Sequence, residues 1–87
     1  MVTVIYKVGA EWCGPCRQLK QELKGFNLVP IIEIDADEDE IFCEKYNIKN
    51  IPVLLLCDEN DNVAYKHVGF ISKKELIEKI INLNENN

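Results

Sequence analysis

The chain has no run approaching the ~18–20 apolar residues that cross a bilayer, so no membrane span is expected. Its N-terminus lacks a basic stretch followed by an apolar core and a small-residue cleavage site. No signal peptide is therefore read, and the expected location is the cytoplasm, although a mature export product would look the same. Positive charge is also in deficit: Lys and Arg number 10 against 15 Asp and Glu, a net charge of −5. This excludes a nucleic-acid binder, which needs a basic face, and a module that docks on anionic membrane. An acidic surface that keeps the chain soluble is the simpler reading. There are no internal repeats, no low-complexity segment and no linker.

What is present bounds the rest. Eighty-seven residues make one domain, 1–87, with no room for a second. An apolar share of 47% is ordinary for a folded protein and too high for a disordered one. Four cysteines could suggest a disulfide scaffold. Their placement argues otherwise, because Cys43 and Cys57 sit inside helix-like and strand-like segments and read as small core residues.

The chemistry concentrates at Trp12-Cys13-Gly14-Pro15-Cys16, behind an apolar run and at the start of a helical pattern. A helix N-terminus offers unpaired N–H groups and a partial positive charge of roughly half an elementary unit. Both favour a thiolate over a thiol, so Cys13 is the expected nucleophile. Cys16, Leu19, Leu23 and Phe26 recur at helical spacing and share the core face. Cys13 is expected at an exposed tip, and Cys16 on the core side.

Val2–Val8 reads as a buried strand, Pro15–Lys24 as a helix stopped at Gly25, and Leu28–Asp35 as a second strand. Asp37–Tyr46 reads as a helix with Asp37 as N-cap and Glu40 completing an acidic capping box. Ile51–Cys57 is a third strand, Asp58–Asn62 a turn, and Val63–Val68 a fourth strand. Ser72 to about Leu83 is the last helix, with a Ser72/Glu75 capping box and an Ile71/Leu76 staple. The last, Asn-rich residues are expected to fray. The fold class is α/β, in the order β-α-β-α-β-β-α. A right-handed parallel crossover and a closing antiparallel hairpin predict a four-stranded mixed sheet with helices on both faces.

The chain resembles the thioredoxins over nearly its whole length. The likeness rests on Ala10-Glu11-Trp12-Cys13-Gly14-Pro15-Cys16, on Lys45-Tyr46-Asn47-Ile48 leading to Ile51-Pro52-Val53-Leu54-Leu55-Leu56, and on Val68-Gly69-Phe70-Ile71-Ser72. It implies a thioredoxin-like fold and reduction of protein disulfides by dithiol–disulfide exchange. Cys13 matches the attacking cysteine, Cys16 the resolving one and Trp12 the indole beside them. Gly14 and Pro15 match the insert between the cysteines. Pro52 matches a cis-proline facing the pair, with the Ile51 backbone turned toward the substrate, and Gly69 matches a glycine lining the substrate groove. The family also implies a monomer, disulfide-containing protein substrates and a thioredoxin reductase-like electron donor. No cofactor is expected, since the chain has no flavin or nicotinamide fingerprint.

Two departures stand out. Met1 leads almost directly into the first strand, so this is a minimal version with the layout of a glutaredoxin. The family's buried aspartate, six residues before the first cysteine, is Lys7 here, and the lysine that accompanies it is replaced by Ile31. Lys7 either snorkels to the sheet end or favours the thiolate by its charge. A glutathione-dependent glutaredoxin is the rival reading, opposed by the Gly-Pro insert and by the lack of a glycine pair near Gly69. A disulfide-forming oxidant would place His in the insert, whereas His67, the only histidine, reads as a surface strand residue. A zinc module would need Cys13, Cys16, Cys43, Cys57 and His67 to converge, and no metal site is expected.

Overall fold

Alternation along the first and second strands places one set of side chains on each side of a sheet, and helices cover both sides. A computed structural model describes residues 1–85, and the expected fraying of the last two asparagines lies outside the described residues. The elements are β1 (Val4–Gly9), α1 (Gly14–Glu22), β2 (Ile31–Asp35), α2 (Glu40–Lys45), β3 (Val53–Cys57), β4 (Val63–Val68) and α3 (Lys73–Glu85). They form a four-stranded sheet in the order β2-β1-β3-β4. β1 runs parallel to β2 and antiparallel to β3, and β3 runs antiparallel to β4. The mixed sheet and the element order are those the sequence predicts.

Two apolar layers sandwich the sheet. On one side Ile5, Leu54 and Leu56 pack with Leu19 of α1, with Leu23 just after that helix, and with Leu76 and Ile80 of α3. On the other, Val8, Val53, Leu55 and Cys57 pack with Phe42, Cys43 and Tyr46 around α2. β3 lies centrally and every one of its residues is buried, which explains its unbroken Val-Leu-Leu-Leu run. Removing such burial destabilises: Leu54→Ala is expected to cost about 2–5 kcal/mol.

Several boundaries differ from expectation, each for a local reason. β1 begins at Val4, although Val2 is buried and its N–H donates to Asn84. α1 ends at Glu22, with Leu23 as C-cap and Gly25 at φ +83°, the left-handed conformation that favours glycine. β2 starts after Pro30, which has no N–H to give a ladder, and its carbonyl accepts from Ile5. β3 starts after Pro52, which follows a cis peptide bond.

The cap of α2 is the clearest correction. Asp39, not Asp37, accepts from the Phe42 N–H at 3.0 Å. Asp35 takes the preceding residues into a turn, its side chain accepting from Asp37 N–H and its carbonyl from Glu38 and Asp39 N–H. At α3 the Ser72 hydroxyl accepts from the Glu75 N–H at 3.1 Å and donates to the Glu75 carboxylate at 2.9 Å. Ile71 and Leu76 are both buried in the same layer, as the staple requires. In the β3–β4 turn the Asp58 carboxylate accepts from the Asn60 and Asn62 N–H groups, which hold it below its usual range.

Candidate functional site

Parallel strands place their C-terminal ends at one edge of the sheet. Gly9 pairs with Asp35, so the loops that follow β1 and β2 meet there. The first carries the cysteine pair. Its turn closes when the Cys13 N–H donates to the Ala10 carbonyl at 3.2 Å, and α1 then begins at Gly14.

Cys13 is the N-cap of α1. Its backbone is extended (φ −84°, ψ 113°), and its sulfur accepts from the Cys16 N–H at 3.2 Å. Oxygen side chains normally fill this position, and here a sulfur takes their role. Pro15 occupies the first turn, where a missing N–H costs no intrahelical bond. No acidic residue lies in that turn to offset the positive end of the helix. Cys13 and Cys16 form a disulfide across a Cα–Cα distance of 5.2 Å.

The burial of the two is the reverse of the expectation. Cys13 is only 5% exposed, whereas Cys16 is partly exposed. The reason is the loop before β3. The Ile51–Pro52 bond is cis, Pro52 is buried, and the Cys13 sulfur lies 3.9 Å from the Ile51 carbonyl oxygen. Gly69, after β4, donates to the Pro52 carbonyl at 2.8 Å and adopts φ +98°. Ile51 therefore stands beside Cys13, and Gly69 is tied to the neighbouring Pro52.

Trp12 does not pack into the pair. It is 68% exposed, and its indole N–H donates to the Asp37 carboxylate at 2.7 Å. Asp37 is the site residue that the sequence reading missed, because it was placed as a helix cap. The signal was available: the acids of Asp35–Asp39 follow a strand parallel to β1, so they must emerge at the edge that carries the cysteines.

Lys7 faces Glu33 across the parallel β1–β2 pair, and its ammonium lies 2.9 Å from the Glu33 carboxylate. Its side chain is 11% exposed and that of Glu33 is 61% exposed. The charged head thus leans toward the sheet edge, which is snorkelling geometry. The hydrogen bond from Lys7 and its charge hold the Glu33 carboxyl below the usual carboxylate range. An open cavity of about 510 Å³ connects this pair with the active-site edge, lined by Lys7, Gly9, Glu11, Cys16, Arg17 and Pro52 among others. Cys16 lines it, and Cys13 does not.

The other cysteines have no comparable setting. Burial and nearby Asp39 and Glu40 push the Cys43 thiol up. Burial and the acids Asp61 and Asp58 do the same for Cys57. His67 is half-buried, with Nε2 2.9 Å from the Phe70 carbonyl. Among the described residues no group of three or more His, Cys, Asp or Glu is placed to hold a metal ion. Among the described residues no helix is long and apolar enough to cross a membrane.

Comparison with known proteins adds to this geometry. The family model described as Thioredoxin matches residues 2–82. A thioredoxin of Bacillus subtilis (strain 168) is 32% identical over 78 residues, covering 84% of this chain and 73% of that protein. A thioredoxin of Chlamydia pneumoniae is 38% identical over 77 residues, covering 84% and 74%. Among solved structures, a chloroplastic thioredoxin z superposes with a TM-score of 0.78 at 25% identity, covering 97% of this chain and 80% of that one. A malaria parasite thioredoxin-2 superposes with a TM-score of 0.81 at 23% identity, covering 93% and 84%.

Proposed function

The chain belongs to the thioredoxin family and is a thiol–disulfide oxidoreductase, and on that premise we propose that Cys13 attacks protein disulfides and Cys16 resolves the product. The observation that carries this reading is the position of Cys13: N-cap of α1, sulfur under the Cys16 N–H, disulfide-bonded one helical turn on.

The reaction runs in two exchanges. The Cys13 thiolate attacks one sulfur of the substrate disulfide. A Cys13–substrate bond forms, the substrate S–S bond breaks, and the other substrate sulfur leaves as a thiolate and takes up a proton. The Cys16 thiolate then attacks the Cys13 sulfur. The Cys13–Cys16 bond forms, and the second substrate sulfur leaves. Two electrons have passed to the substrate, and the pair stands oxidised, the state described above. The Cys16 N–H and the helix end favour negative charge on the Cys13 sulfur and assist its attack.

Trp12, Val68 and Phe70 are exposed apolar groups near this edge and offer contact surface to a substrate protein. Ile51, its carbonyl beside the Cys13 sulfur, is placed to pair with an extended substrate segment, while Pro52 and Gly69 form the wall behind it. Gly14 and Pro15 hold the first turn of α1. Lys7 keeps Glu33 charged at the far side of the pair. The protein acts as a monomeric single domain in the cytoplasm, re-reduced by a thioredoxin reductase-like protein. Insulin reduction tests the assignment: Cys13→Ser abolishes turnover, and Cys16→Ser accumulates mixed disulfides. A Cys16→Ser protein with normal turnover refutes the two-cysteine mechanism.

A further inference from the structure

The Cys16 N–H and the positive end of α1 act on the Cys13 sulfur. Cys16 must also become a thiolate, because it attacks Cys13 in the second exchange. Its surroundings are different ones.

Strand parity fixes them. Ile5 belongs to the apolar layer of Leu19 and Leu54, so Lys7 and Gly9, two and four residues further on, face α1 as well. The Cys16 sulfur rests on Gly9, where a Cβ would lie 3.2 Å from it. Lys7 leaves the sheet about 7 Å from Gly9 along β1, beneath the same helix. Lys7 and Cys16 line one open cavity, and Cys13 does not line it.

Six charged side chains border that cavity: Lys7, Arg17 and Lys20, and Glu11, Glu33 and Asp35. All but Lys7 are exposed, where solvent screens them. Arg17 is engaged with the Glu11 carbonyl at 2.8 Å, and Asp35 with the Asp37 N–H at 2.8 Å. Only 11% of the Lys7 side chain is exposed, and a sheltered charge is screened least. Glu33 accepts from Lys7 at 2.9 Å, but it is 61% exposed and also feels the charge of Lys20. The counter-charge thus stands toward solvent while the positive charge stands inside. Among the described residues no acid is buried. The one sheltered charge behind Cys16 is therefore a cation.

We propose that Lys7 is a positioning residue for the resolving step: its charge, moderated by Glu33, favours the Cys16 thiolate in the mixed disulfide. The proposal rests on the assignment of Cys13 as attacking and Cys16 as resolving cysteine and deepens it. The Cys16 thiol gives its proton to solvent through the cavity. The thiolate attacks the Cys13 sulfur, and the Cys13–Cys16 bond forms. The bond from Cys13 to the substrate breaks, and the substrate sulfur leaves with the electron pair and takes up a proton. Lys7 contributes charge and no proton. Cys13, across a Cα–Cα span of 5.2 Å, feels the same charge more weakly.

Stopped-flow absorbance with dithiobis-nitrobenzoate isolates this step. The reduced protein releases one thionitrobenzoate when Cys13 attacks the reagent and a second when Cys16 resolves the adduct. The second phase is first order and independent of reagent concentration. Cys13 does not titrate in the mixed disulfide, so the pH profile of that phase follows Cys16. In Lys7→Met its midpoint is expected about one unit higher than in the unmodified protein. A thiol of higher pKa yields less thiolate but a better nucleophile. Resolution is therefore about threefold slower on the acid side of the profile and about threefold faster on the alkaline side. Lys7→Arg keeps the unmodified midpoint, and Glu33→Gln, an exposed change, lowers it. A merely structural loss slows resolution alike at every pH. An unmoved midpoint in Lys7→Met, uniform slowing, or a Glu33→Gln midpoint that does not fall overturns the proposal. Cys16→Ser is run beside these variants. Loss of its second phase upholds the two-cysteine reading, and an unmoved Lys7→Met midpoint then counts against the proposal alone. A second phase that persists in Cys16→Ser removes that reading and the proposal with it.

Discussion

The four cysteines of this chain occupy two kinds of place, and the contrast shows how position turns one residue type to different uses. Cys57 is fully buried in the central strand among Val8, Val53 and Leu55, and Cys43 is half-buried beside Phe42. Both have acidic neighbours, and burial pushes both thiols up. Cys13 stands at the positive end of a nine-residue helix with no acid in its first turn, and its sulfur already accepts a backbone N–H. A thiolate is disfavoured in the first setting and favoured in the second. The first pair serves packing, and the second serves exchange.

The contrast can be broken most severely at the active pair. Cys13→Ser is expected to lower insulin reduction by roughly 10³-fold or more, since the nucleophile itself is lost. The matching change in the core, Cys57→Ala, is expected to leave that rate unchanged. It lowers unfolding stability by about 1 kcal/mol through loss of a small buried group. Reduced activity in Cys57→Ala, with folding intact, would contradict the division.

Smaller effects sharpen the comparison at the two acids near the site. Asp39→Ala removes the α2 cap and is expected to cost about 1 kcal/mol, read from a denaturant midpoint. Asp37→Ala is expected to cost less, because it releases only an exposed indole hydrogen bond, and to change Trp12 fluorescence instead. Equal destabilisation by the two changes would argue against Asp39 as the cap.

The smallest effect is the pH dependence at Lys7 and Glu33. Glu33 has its carboxyl lowered in the folded state from an ordinary value of 4.5. Its contribution is therefore fully present above that ordinary value and is lost as pH falls through the lowered one. Because Glu33 is largely exposed, the effect is below about 1 kcal/mol. Midpoints measured from neutral to acidic pH should fall less steeply in Glu33→Gln than in the unmodified protein. Lys7→Met tests the companion idea, that the Lys7 charge supports the redox pair: an unchanged Cys13 alkylation rate would refute it.

Much of this was legible in the residues. Periodicity placed all seven elements, because the β3 run is uniformly apolar and the helices carry a clean three-and-four spacing. The capping chemistry at Ser72 was readable because Glu75 and the Ile71/Leu76 staple agree with it. At α2 three aspartates compete within five residues, and local pattern does not say which carboxylate the turn will claim. Asp35 took the turn, Asp39 took the cap, and Asp37 was left for Trp12. The exposure of the two active-site sulfurs was misread for a related reason. Helical spacing sets the direction of Cys16 from α1, but the cover over Cys13 comes from Ile51 and Pro52, distant in sequence. The Lys7–Glu33 pair likewise depends on the β1–β2 register, which the pattern of either strand alone does not contain.

Competitive alkylation tests the central contrast most directly. The fully reduced protein is treated at pH 7 with less than one equivalent of iodoacetamide, and the label is mapped by peptide mass spectrometry. The label should fall on Cys13, with Cys43 and Cys57 essentially unmodified. Labelling of Cys43 ahead of Cys13, or an even spread over the four thiols, would contradict the claim that the α1 N-terminus singles out one sulfur.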